Sequence, residues 1–239
     1  MIIDSQTIIE DLSKMALLLN THQISTDTGA LYKMQEEMRK LTDDDVLLWW
    51  YGSEEDTYDY IRFKPFTMSH TRPHEAEVII HLVVKSKGKK VEIGINPFES
   101  LNIQIILCGY TIDGNDVKSA WHMDMDTSPQ NNYIHPLFHI NFGGRELEML
   151  QDTGEILLLR SPRLMHPPMD IFLAIDFVVQ NFYGRDESIF KDEEYQGIIQ
   201  KYRKLCWYSY SVALASNFYS FKDKNICIDN TFAKNIWGN

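Results

Sequence analysis

Four of the eight histidines fall between Trp121 and Asp170: His122, His135, His139 and His166. Asp124, Asp126 and Asp170 lie among them, together with Arg145, Arg160 and Arg163. Imidazole and carboxylate groups can ligate a metal or carry a proton, and guanidinium groups hold anions. If Trp121–Asp126 is a strand, His122, Asp124 and Asp126 share one face. Same-face neighbours sit about 7 Å apart at Cα, so His122 and Asp124 can share one ion. Asp126, roughly 13 Å from His122 on a regular strand, is left to a supporting or capping role. His139 alternates with Phe138 and Ile140, so pairing of the two strands places it across from Asp124 or His122. The expected metal set is therefore His122, Asp124 and His139, holding a divalent Zn or Fe.

His135 and His166 are the candidate proton-transfer residues. Arg145, Arg160 and Arg163 are the expected ligand-binding residues. The last two lie on a segment that ends at a helix N-terminus, where free amides and the dipole favour an anion. A blander arrangement uses the same groups. His135-Pro136 is then a turn, His139 caps a backbone carbonyl, and Arg160 and Arg163 pair with Asp170 or Glu146. The histidines then form a hydrogen-bond network that fixes the loop before the Pro167-Pro168 helix.

The order His122-x-Asp124, a glycine-led strand at Gly154–Leu159, then His166 resembles the His-x-Asp…His triad of 2-oxoglutarate-dependent oxygenases. That resemblance implies an Fe(II) site. The stretch after His166 departs from the family pattern: it lacks the basic residue that holds the 2-oxoglutarate carboxylate, and it reads as a helix.

Elsewhere the chemistry thins out. Pro73 breaks any helical pairing of His70 with His74. His22 and His81 stand alone in a turn and a strand. Gly143-Gly144 marks a tight turn, and no Ser–His–Asp set, GxSxG elbow, Walker loop or HExxH motif is visible.

The elements that position these residues follow from periodicity. Asp4 or Ser5 caps a first helix with Ile8, Ile9, Leu12, Ala16, Leu17 and Leu19 inside. Ser25 or Thr26 opens a second, with Leu31, Met34, Met38 and Leu41 inward. From Tyr58 to Arg160 the period falls to two, with strands predicted at 77–85, 91–95, 103–110, 120–126, 137–142 and 155–160. Lys85–Lys90 reads as a basic hairpin tip turned at Gly88. Pro167-Pro168 opens a helix that Gly184 terminates, and Asp186 starts a long helical stretch with a break near Gly197. The fold class is α+β: a central antiparallel meander of about five to seven strands, flanked by N-terminal and C-terminal helices. One domain spans 1–239, comprising helical 1–45, sheet 58–160 and helices 167–220.

The chain has 239 residues, 44% of them hydrophobic, enough for a well-buried core. Its net charge of −11 repels a phosphate backbone, which disfavours non-specific nucleic-acid binding. Three scattered cysteines make no disulfide framework, and neither a signal peptide nor a membrane span is seen. The expected location is the cytoplasm. The expected function is a binding protein with a His/Asp/Arg-rich polar site, acting with a protein partner or sensing a small anionic ligand. The alternative is a metal-dependent enzyme, a phosphoester or carboxylate hydrolase or an Fe-dependent oxygenase, built on the same cluster.

Overall fold

The computed structural model describes residues 3–41, 47–51, 59–68, 76–90, 96–126, 136–143, 164–184 and 187–211. Its α+β architecture rests on an antiparallel sheet: β1 (Ser25–Asp27), β2 (Leu47–Tyr51), β3 (Ile61–Phe63), β4 (Phe66–Met68), β5 (Ala76–Lys89), β6 (Phe98–Thr111), β7 (Asp116–Met125), β8 (Phe138–Phe142) and β9 (Leu164–Met165). The helices are α1 (Ser5–Thr21), α2 (Gly29–Arg39), α3 (Ile171–Phe182) and α4 (Glu193–Arg203). The strand count exceeds five to seven because β1, β3, β4 and β9 are two- and three-residue pairings too short to show a period.

β5 through β9 form an antiparallel meander, each strand pairing with the next; β5 pairs directly with β6, and the strand expected at 91–95 lies outside the described residues. On its other edge β5 pairs in turn with β2, β3 and β4, at Ser86–Lys89, His81–Leu82 and Ala76–Val78. Lys85–Lys89 is therefore strand, not a hairpin tip. Gly88 stays in line because Trp49 lies across it: a Cβ there would sit 2.2 Å from the indole ring. The indole also donates to Ser86 Oγ at 3.0 Å. Close packing, not a turn, requires that glycine.

Alternation gives the sheet two unlike faces. Val78, Ile80, Leu82, Val84, Ile103, Ile105, Leu107 and Met123 are buried in a core shared with residues of all four helices. The opposite face carries Lys85, Asn102, Gln104, His122, Asp124, His139 and Asn141, at the alternate positions of the same strands. Among the described residues no helix is long and apolar enough to cross a membrane.

α1 is capped by Asp4, whose carboxylate accepts from Thr7 N at 2.7 Å. Its buried stripe is Ile8, Ile9, Leu12, Met15, Ala16 and Leu19, whereas Leu17 points outward at 62% exposure. Ser25–Asp27 is strand rather than helix start. α2 begins after Thr28, with Gly29 N donating to Asp27 Oδ1 at 2.8 Å. α3 starts at Ile171, so Pro167-Pro168 precedes the helix and Asp170 caps it, accepting from Leu173 N. Gly197 lies inside α4, and the helical irregularity falls instead at Lys204–Tyr208, a π-turn.

The end of α1 makes a Schellman turn. Ile24 N donates to Leu19 O at 2.8 Å and Gln23 N to Asn20 O at 3.0 Å. Gln23 holds φ of 53°, the left-handed region glycine favours. Gln23→Gly is expected to stabilise the protein by about 0.5–1 kcal/mol, the relief of strain partly offset by glycine's greater unfolded-state entropy. A lowered urea midpoint would contradict that expectation.

Candidate polar site on the outer sheet face

Register brings the predicted residues into two cross-strand rows. One runs Lys85, Asn102, Asp124, His139; the other runs Val83, Gln104, His122, Asn141. His122 Nε2 lies 3.3 Å from Asp124 Oδ2, so the i, i+2 pair expected from strand alternation does meet. Asp124 Oδ1 accepts from Asn102 Nδ2 at 2.5 Å, and Asn102 Oδ1 accepts from Gln104 Nε2 at 3.4 Å. Each oxygen of this carboxylate thus faces one neighbour on its own sheet face, an amide and an imidazole.

His139 stands opposite Asp124 in register, as predicted, and is 2% exposed. Its Nδ1 faces the Pro136 carbonyl at 3.2 Å, the capping alternative rather than the metal one. His166 is elsewhere. Its backbone N donates to Phe138 O at 3.3 Å, its Nδ1 lies 2.7 Å from Pro167 O, and its ring packs edge-on against Phe177 of α3. That contact puts it towards the helices, away from His122. Burial pushes its pKa down, against the backbone hydrogen bond, and keeps the ring neutral. Among the described residues no group of three or more His, Cys, Asp or Glu side chains could hold a metal ion. His135, Arg145, Arg160 and Arg163 lie outside the described residues, as does the strand expected at 155–160. The oxygenase-like order therefore does not become a triad: His166 does not join the His122–Asp124 pair, and the segment after it leads into α3.

Two polar atoms in the second row have no hydrogen-bond partner among the described residues. Gln104 Oε1 and Asn141 Oδ1 are shielded from solvent and accept no hydrogen bond, and in register they flank His122 on either side. A desolvated acceptor left unpaired costs about 1–3 kcal/mol, so two in one row are a liability to the free protein. His122 and Asp124 beside them keep 23% and 28% of their side-chain exposure. The row reaches solvent.

Sequence reasoning missed two further groupings. Cys108 Sγ lies 3.8 Å from His81 Nδ1, and His81 stacks on Tyr60 with centroids 4.3 Å apart. Burial lowers the imidazole pKa and raises that of the thiol, so the two stay neutral and form no thiolate nucleophile. His22 meets Ser188 and Asp192, residues far along the chain from it. No local spacing signals either grouping, because both depend on how distant elements pack.

No family model matches the chain, and no curated protein or solved structure matches it either.

Proposed function

We propose that the chain is a binding protein whose outer sheet face, centred on His122, takes a segment of a protein partner rich in N–H donors. The observation that carries this is the pair of unpaired acceptors, Gln104 Oε1 and Asn141 Oδ1, flanking His122 and Asp124. A partner that draws the two carboxamides outward and donates to both oxygens recovers the cost of their desolvation. The adjoining row holds one carboxylate, Asp124, and one ammonium, Lys85, so the attraction for a basic segment comes from the whole chain, whose charge of −11 steers its approach. An anionic small ligand draws its support from Arg145, Arg160 and Arg163 in the sequence. The acceptor-rich rows favour a donor instead. A cytoplasmic location fits the free thiols of Cys108 and Cys206.

Calorimetric titration with an arginine-rich decapeptide tests the proposal, with a glutamate-rich decapeptide as control. The arginine-rich peptide is expected to bind, and the double variant Gln104→Met, Asn141→Leu to weaken it at least about tenfold. The same variant is expected to be more stable than the wild type by about 1–3 kcal/mol in urea, because apolar groups replace unpaired acceptors. Equal affinity of both proteins would assign the binding to overall charge and contradict the proposal.

The metal-dependent reading retains only the His122–Asp124 contact in its favour. A thermal upshift with Zn, Fe(II) or Mn that vanishes in His122→Ala would restore it.

A further inference from the structure

The three side chains that meet at the end of α1 have the order of a nucleophilic relay. Ser188 Oγ lies 2.7 Å from His22 Nδ1, and His22 Nε2 lies 3.1 Å from Asp192 Oδ2. The hydroxyl and the carboxylate sit four residues apart, at the start of a 3-10 turn (Ser188–Lys191) and at the N-cap of α4. The imidazole arrives from the C-cap of α1.

The hydrogen bonds fix which ring nitrogen is basic. Asp192 Oδ1 accepts from Glu194 N at 2.9 Å and Tyr195 N at 3.1 Å, leaving Oδ2 for His22. These amides, with His22, hold the Asp192 pKa below the ordinary carboxylate range, so the group is ionised at neutral pH. An ionised carboxylate accepts only, so Nε2 carries the proton and Nδ1 presents its lone pair to Ser188. That is the arrangement in which a carboxylate orients a base and the base takes a hydroxyl proton. Either ring nitrogen can fill the basic role, since both lone pairs lie in the ring plane.

The surroundings suit it. Ser188 is exposed, while the His22 and Asp192 side chains keep 16% and 27% exposure. Lys64 N donates to Ile24 O at 2.9 Å, and Lys64 Nζ donates to Glu187 Oε1 at 2.8 Å. These bonds tie the chain at Lys64 both to the residue before Ser188 and to the chain just after His22, which fixes the two segments that carry the hydroxyl and the imidazole.

We propose that Ser188, His22 and Asp192 form a hydrolytic site, separate from the outer sheet face, for small unhindered carboxylic esters. Ser188 Oγ bonds to the ester carbonyl carbon as its proton passes to His22 Nδ1. The bond to the alkoxy oxygen breaks, and the alcohol leaves with that proton. A water molecule then gives a proton to His22 Nδ1 and attacks the acyl-serine. The carboxylic acid leaves and Ser188 Oγ recovers its proton, so ester and water become acid and alcohol with no change of oxidation state.

A fluorophosphonate probe on the full chain tests the site, read by intact mass and peptide mapping. One adduct on Ser188 is expected, absent in Ser188→Ala and formed at least about 100-fold more slowly in His22→Gln. Asp192→Asn keeps the helix cap, because Asn serves there as well as Asp, and is expected to slow labelling at least about tenfold. Turnover of p-nitrophenyl acetate should fall in the same order. If the three side chains only clasp α1 to α4, the wild type forms no Ser188 adduct, or forms it as fast in Asp192→Asn. Either result overturns the proposal.

Discussion

Asp170→Asn is expected to stabilise the protein at pH 8 by on the order of 3 kcal/mol, and to change it by less than about 1 kcal/mol at pH 4.5. Asp170 is 2% exposed at the N-cap of α3, where its Oδ1 accepts from Leu173 N at 3.0 Å. Burial raises its pKa to about 7, overcoming the amide hydrogen bonds that favour the ionised form, and the Asp11 charge adds to the rise. The sign follows from proton counts. Between about pH 4 and pH 7 the folded chain holds a proton that the unfolded chain has released, so stability falls as pH rises through this window. Asn keeps the capping oxygen and has no charge to bury. Urea midpoints of both proteins at pH 4.5, 6, 7 and 8 check it. A difference that does not grow with pH would mean the carboxyl is already comfortable when ionised.

Asp11→Ala is expected to cost about 3–5 kcal/mol. Asp11 is 2% exposed on α1, and it accepts from Lys201 Nζ at 3.0 and 2.7 Å and from Tyr202 OH at 2.9 Å. Burial, and then the Asp11 charge, raise the Tyr202 pKa, so the phenol stays protonated and donates. Alanine strips the acceptor from both donors, and Tyr202 has no route to water at 1% exposure. Lys201 keeps 26% of its side-chain exposure and can rehydrate, which draws the cost towards the lower figure. For a chain of this length the loss corresponds to about 10 °C in Tm. Pairing the change with Lys201→Met in a double-mutant cycle separates the ion pair from the phenol bond. A loss below about 1 kcal/mol would show that the network contributes little.

What the sequence made legible follows the reach of each signal. Strand alternation in Trp121–Met125 is local, and it correctly predicted the His122–Asp124 contact. Register between β7 and β8 is set by hydrophobic faces, so His139 opposite Asp124 was also within reach. Where its ring points was not, because that depends on the Pro136 carbonyl of the preceding turn. His166 looked like a partner because it was near in sequence, yet its ring packs against α3. Lys85–Lys89 carries the composition of a turn but pairs as strand, since tertiary packing of Trp49 over Gly88 outweighs local preference. The His22, Ser188 and Asp192 grouping and the Asp11, Lys201 and Tyr202 network join α1 to the C-terminal helices. Neither has a spacing to read. The carboxamides of Gln104 and Asn141 carry no chemical signature in the sequence; only their burial without a partner among the described residues marks them.

The side-chain amides of Gln104 and Asn141 report most directly on whether the outer sheet face binds. In a ¹⁵N-labelled sample titrated with the arginine-rich decapeptide, an N–H donated to each carbonyl oxygen moves the NH₂ resonances of that carboxamide downfield. Both pairs should shift together along one saturable curve, at the same peptide concentration that halves the calorimetric signal. Resonances that stay fixed while peptide binds elsewhere would contradict a binding site at His122.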